Sequence, residues 1–385
     1  MKKCSLLLLL IGLLWACQSD PATSEQKTDS TPQPDPLLEA STATESPTLG
    51  STNNHWIVNI DKFRLRQQPG TEGSVLTELS EGSQVTYLGE SSDFQSQIKL
   101  RGTLFDEPWV KVETADGQQG WVFAGGIHPR KDNHSPLANR LLRARLSQLF
   151  GEKLTQEIDA YRKAYEQMAD SEQLASTYRQ GLSLRKELTT KLDIRAQDMA
   201  VETVNLFWLD QAIPGYVTQL VAEGTTYYLF NDYKEWLQKA KSTSGEEDDA
   251  FVALCLETFA QDSVEHFFPA WYLQTWDYGG HSLLGQGVHQ KVLDRMEAAW
   301  LVGAFFHPEI KDLKQMWLED IVGPEHESDS GYWEGQAKIL KELDQIIQGE
   351  QSVLTSEDRV ALEVRRKMFA QPKANKILIN QRSGE

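Results

Sequence analysis

The sequence predicts a multidomain chain in which a small all-β barrel precedes an all-α helical domain, both following an N-terminal leader and a polar tether. Three observations carry this expectation. Residues 55–130 alternate apolar and polar side chains in short runs separated by glycine-bearing turns, the period-2 pattern of a small antiparallel barrel. Beyond Pro129 the spacing turns helical, with Leu142, Leu146, Leu149, Ile158 and Tyr161 on related faces of highly charged stretches. The length of 385 residues exceeds that of one ordinary domain.

Composition narrows the partners. With 56 acidic against 38 basic residues the net charge is −18, and loss of residues 1–16, which carry Lys2 and Lys3, takes it two further to −20. Nucleic-acid affinity rests on cationic contacts to phosphate, so nucleic acid is not expected as a partner. Hydrophobic residues make up 40% of the chain, enough for a packed core once the polar head is set aside. Of the three cysteines, Cys4, Cys17 and Cys255, only Cys255 would remain as a free thiol after processing and lipidation, so no intramolecular disulfide is expected.

Residues 1–16 place two lysines before an apolar run too short to span a bilayer, which fits a secretory signal. Leu14-Trp15-Ala16-Cys17 resembles a bacterial lipobox. That resemblance implies acylation of Cys17 and attachment to a lipid bilayer, outside the cytoplasm in a bacterial envelope and at the outer membrane. An ordinary secretory signal with an incidental cysteine is the alternative. Several acyl chains, each buried CH₂ contributing about 0.8 kcal/mol, would anchor the chain durably. Residues 17–54 are rich in Ser, Thr, Pro, Asp and Glu and too poor in apolar side chains to offset ordering entropy, so a disordered linker is expected. As a flexible chain it would reach roughly 30–35 Å.

Within residues 55–130, Trp56-Ile57-Val58-Asn59-Ile60 forms the first strand. Leu65-Arg66 precedes a Pro69-Gly70-Thr71 loop and Val75, and Gly82 opens a strand through Val85-Thr86-Tyr87-Leu88-Gly89. Trp109-Val110-Lys111-Val112 and Asp116-Gly117 lead to Gly120-Trp121-Val122. This series resembles a bacterial SH3-type domain over about 70 residues. The resemblance implies an SH3-like barrel that binds a peptide, a protein or the stem peptide of peptidoglycan, with Trp109 and Trp121 near the binding surface. Residues 90–108 form an enlarged loop relative to that pattern. Alternation in its QIKLRGTLF segment suggests an added hairpin arm, and its apolar side chains are expected to pack on the following domain, a contact surface being the alternative. Phe94 and Phe105 lie in this insertion and are candidates for the same surface on their own account.

Residues 131–385 resemble no family. Helical stretches recur to Gln371, broken at Pro214-Gly215, 242–249, Gly279-Gly280, Gly323-Pro324 and Gly349. Seven tryptophans, Trp208, Trp236, Trp271, Trp276, Trp300, Trp317 and Trp333, are expected mostly in a helical core with their N–H groups paired.

Three constellations bear on chemistry. Cys255 precedes His266, His281 and His289 as in cysteine hydrolases, but it sits in an apolar run that would raise its pKa. Glu265 and His266 with His281 and His289 lack the i, i+4 spacing of a zinc helix, so neither metal nor cofactor is expected. In HFFPAWYLQTWDYGGH, Phe268, Trp271 and Tyr272 fit the buried face of a helix, while Trp276, Tyr278 and His281 lie toward a loop and could line a groove. A binding or scaffold protein is therefore the favoured reading. A cell-wall hydrolase whose helical part supplies acid–base carboxylates such as Glu265, Asp277, Glu319 or Asp320 is the alternative.

Overall fold

The computed structural model describes residues 54–198, 205–221, 226–259, 268–274, 280–323, 331–332 and 334–370. The expected leader, Cys17 and the linker up to residue 53 lie outside the described residues.

Seven strands form one antiparallel sheet: β1 (His55–Val58), β2 (Phe63–Arg66), β3 (Val75–Leu79), β4 (Gln84–Leu100), β5 (Thr103–Thr114), β6 (Gln119–Phe123) and β7 (Ile127–Pro129). Their order is β3-β2-β6-β5-β4-β1-β7. The alternation has its usual physical cause, since one face of each strand is buried. In β2, Phe63 and Leu65 are buried while Arg64 is exposed. Strands β4 and β5 run on through residues 90–108 as a long two-stranded ribbon, pairing Ile98 with Phe105 and Leu100 with Thr103. Its tip is the two-residue turn Arg101-Gly102, with φ of 43° and 82°. Two central residues in the left-handed region match the right-handed twist of a hairpin. Register shifts between Tyr87 and Ser91, and again before Gln95, bend the ribbon.

Helix α1 (Pro136–Phe150) follows at once. Ser135 caps it by accepting the Ala138 N–H, and Pro136 occupies the first turn, where a missing N–H costs nothing. Its Leu137, Ala138 and Leu141 join the core of the β domain. Its Leu142, Leu146 and Phe150 join the core of the helical region. One helix is thus shared by two cores.

The helical spacing beyond Pro129 resolves first into three helices, α1, α2 (Glu152–Gln167) and α3 (Ser171–Asp198). The break falls at Gly151, whose φ of 84° is costly for any side chain with a Cβ. Then come α4 (Leu209–Ala212), the hairpin of β8 (Tyr216–Val221) and β9 (Thr226–Asn231), α5 (Tyr233–Ala240) and α6 (Glu247–Thr258). That hairpin sits where the helical reading placed helix, in a stretch rich in tyrosine and β-branched residues that suit strands. Pro214-Gly215 turns the chain into it, and at Gly215 the ring of Trp236 lies too close for a Cβ. Trp236 is sealed edge-on against Tyr165 and Tyr178, with ring centroids 5.1 and 5.2 Å away. Its indole N–H has no hydrogen-bond partner, contrary to expectation.

The C-terminal part contains β10 (Tyr272–Gln274), β11 (Gly280–Ser282), α7 (Val288–Val302), α8 (His307–Val322), β12 (Gly331–Tyr332), α9 (Gln336–Gln348) and α10 (Ser356–Ala370). Phe268, Trp271 and Tyr272 do not share a helix face. Pro269 lacks the N–H a helix interior needs, and the backbone instead bonds outward, Ala270 N to Thr258 O and Leu283 N to Trp271 O. Among the described residues ten helices follow the sheet, and none is long and apolar enough to cross a membrane.

Candidate functional site

A groove of about 320 Å³ opens where the ribbon turns back over β2 and the loop before β3. Trp109 forms its floor and is 3% exposed. The ring is fixed rather than free. Its Nε1 donates to Ser96 Oγ at 2.9 Å, its backbone N–H to Ser92 Oγ at 2.9 Å, and Phe123 packs 5.8 Å away. Ile98 and Leu100, from the inner side of the ribbon, supply an apolar wall. Lys62, Arg64 and Arg66 also line it, with Asp61 as the lone acid. The Arg66 guanidinium lies 5.8 Å from the Trp109 ring and is held by a bond to Gly73 O. Arg64 meets Glu78 only at 3.9 Å, with both side chains more than half exposed, so that pair contributes little. The groove therefore combines an aromatic and aliphatic base with a cationic rim, in a protein that is otherwise acidic.

Residues 61–128 match the family model of the bacterial SH3 domain. No curated protein and no solved structure matches the chain.

The four expected aromatics take different places in and around the SH3 domain. Trp109 lies in the groove. Phe94, 43% exposed, stands on the ribbon next to the loop at Gly70. Trp121 is half-buried and is cross-strand partner to both Arg66 and Lys111, so it shares their sheet face. Phe105, the cross-strand partner of Ile98, is not among the groove's lining residues and lies at the junction with α1, where the Arg145 guanidinium sits 5.6 Å from its ring. The groove's cations do not stand out as a site in the sequence. The available signal was FRLR, whose period puts Arg64 and Arg66 on one face.

Beneath the SH3 domain, Arg145 of α1 makes a bidentate pair with Glu107 at 2.8 Å and also donates to Ala124 O. His128 lies close by, and burial, with Arg145 adding to it, pushes its imidazole down to about 4. The ribbon tip is pinned as well, by Arg101 to Glu81 and by Asn205 Nδ2 to Glu81 Oε1 at 3.2 Å.

In the helical domain Trp276 and Tyr278, like Glu265, His266, Asp277 and Trp333, lie outside the described residues. His281 is half-buried on β11, opposite Leu273 and Gly331. His289 is fully buried, and its Nε2 lies 2.8 Å from Asp320 Oδ2, the oxygen that also accepts from Ser282 Oγ. Ser282 thus faces the carboxylate rather than the imidazole, which is not the arrangement that activates a serine nucleophile. Glu319 is exposed and adjacent to Asp320 on one helix, so the two carboxylates diverge instead of converging across a cleft. Cys255 is buried, and desolvation drives its thiol far above the usual range, the opposite of an activated nucleophile. Among the described residues no three His, Cys, Asp or Glu side chains are placed to share a metal ion.

Two larger hollows, of about 450 and 590 Å³, are lined mainly by charged and other polar side chains at the helical surface. A third, of about 340 Å³, contains Asp210, whose carboxyl is pushed up to about 6 by burial although Thr218 N donates to it at 2.6 Å.

Proposed function

We propose that this chain is a binding and scaffold lipoprotein of the bacterial envelope, held at the outer membrane by acylated Cys17. Its SH3 domain recognises a peptide, the stem peptide of peptidoglycan being the favoured ligand. The helical domain acts as scaffold and carries a second contact, which this reading places around Trp276, Tyr278 and His281. The observation that supports the reading is the groove over Trp109, where an apolar base and the rim of Lys62, Arg64 and Arg66 suit a short peptide bearing carboxylates. Phe94 and Trp121 flank it as the aromatics best placed to extend the surface.

The test is co-sedimentation of the full chain with purified peptidoglycan sacculi at physiological salt. The parent protein should pellet, and Lys62→Glu/Arg64→Glu should lower the apparent affinity at least tenfold. Raising the ionic strength should weaken binding in the parent more than in that variant, since exposed charges are screened. A parent that stays in the supernatant removes the cell-wall ligand. Equal pelleting of parent and variant removes the groove.

A further inference from the structure

The groove has a complementary segment within the same chain. We propose that residues 35–39, Asp35-Pro36-Leu37-Leu38-Glu39, dock on the groove over Trp109, so that the N-terminal stretch competes with an outside ligand for one surface. This rests on the reading of the groove as a peptide site and adds its regulation.

Four observations converge. The first is charge. Lys62, Arg64 and Arg66 outnumber Asp61 at the rim, and the segment brings Asp35 and Glu39 on either side of its apolar centre. The second is apolar content. Between residues 18 and 53 the large apolar side chains are Leu37, Leu38 and Leu49, so one adjacent pair exists, and it matches the Ile98–Leu100 wall in size and character. The third is stiffness. Pro32, Pro34 and Pro36 each fix φ near −65°, which reduces the entropy that docking must overcome.

The fourth is reach. Residues 40–54 lie between the segment and β1, and fifteen residues give a flexible-chain span of roughly 20 Å and an extended limit of about 50 Å. The chain enters the fold at His55, and the groove begins at Ile60, one short strand later. A linker that spans its sites without strain supplies an effective concentration in the millimolar range, enough to fill a weak site. Docking would leave residues 18–34 as the free leash in place of 18–53. That shortens the flexible reach from roughly 30–35 Å to roughly 20–25 Å. An outside ligand that displaces the segment would release the longer leash, so occupancy of the groove sets how far the folded part stands from its anchor.

The experiment uses the full chain in detergent and a fluorescent peptide of residues 31–41, followed by anisotropy. Leu37→Ser/Leu38→Ser, which disarms the internal competitor, should bind the peptide at least tenfold more tightly than the parent. Adding Lys62→Glu/Arg64→Glu to that variant should abolish the gain. Equal affinity of parent and Leu37→Ser/Leu38→Ser overturns the proposal, as does a peptide that binds neither. Sedimentation of the same proteins with sacculi separates this inference from the function it rests on. Rim-dependent pelleting without rim-dependent peptide binding leaves the function standing and sinks the self-docking. Rim-dependent peptide binding without pelleting supports the self-docking and sinks the wall ligand.

Discussion

Arg145 and Glu107 have side chains only 2% and 5% exposed, and they join α1 to the ribbon through two parallel hydrogen bonds. A buried pair of this kind repays its desolvation only when geometry is good, and loss of one partner strands the other charge. Glu107→Ala should therefore destabilise the protein by roughly 3–5 kcal/mol in denaturant unfolding, whereas Glu107→Leu/Arg145→Met should recover most of the loss. Two partly buried groups pull stability in opposite directions with pH. The His128 imidazole is depressed to about 4, so the unfolded chain binds the extra proton and stability falls as pH drops from about 6.5 to about 4. Asp210 is raised to about 6, so its folded form holds a proton that the unfolded form has released. Its contribution is favourable below about pH 4 and is lost as pH rises toward 6. Measured across that range, the stability of Asp210→Asn relative to the parent should grow with pH and level off near pH 7, at on the order of 2–3 kcal/mol. A constant difference between the two would show that the carboxyl titrates normally.

At the scale of elements, the start of α7 is held by a single carboxylate from another helix. Glu342 of α9, 2% exposed, accepts the backbone N–H groups of Gly285, Gly287 and Gln290. A negative charge there meets both the unpaired donors and the positive end of the helix dipole. Glu342→Ala should cost roughly 2–4 kcal/mol, and hydrogen exchange should report faster opening of those three amides while β1–β7 stay protected. The β strands were legible because one buried face imposes a period of two, and the ribbon because QIKLRGTLF keeps that period on both sides of Arg101-Gly102. The division at Gly151 was less so, because helical spacing resumes in phase with an apolar face on either side. The β8–β9 hairpin is not legible because it runs between helices that share its aromatic core. The groove was legible only as a set of aromatics. Which cations face Trp109 depends on how the ribbon bends back, and the two register shifts that bend it leave no sequence period.

For the molecule as a whole, the two cores meet along α1, with Leu141 on one side and Leu142 on the other. The SH3 domain and the helical region thereby share an element instead of being joined by a linker, and the Arg101–Glu81–Asn205 clasp adds a second point of contact. Another consequence lies at the point where the chain enters the fold. Strand β1 is not an edge: it pairs with β4 on one side and β7 on the other. Tyr87 bonds Asn54 O, while Arg130 and Asn133 both bond His55 O. Tension arriving along the N-terminal stretch would have to shear two ladders at once, because no free edge is offered for bonds to open one after another. The sheet is built so that its entry strand resists pulling, a mechanical property that equilibrium stability alone would not reveal.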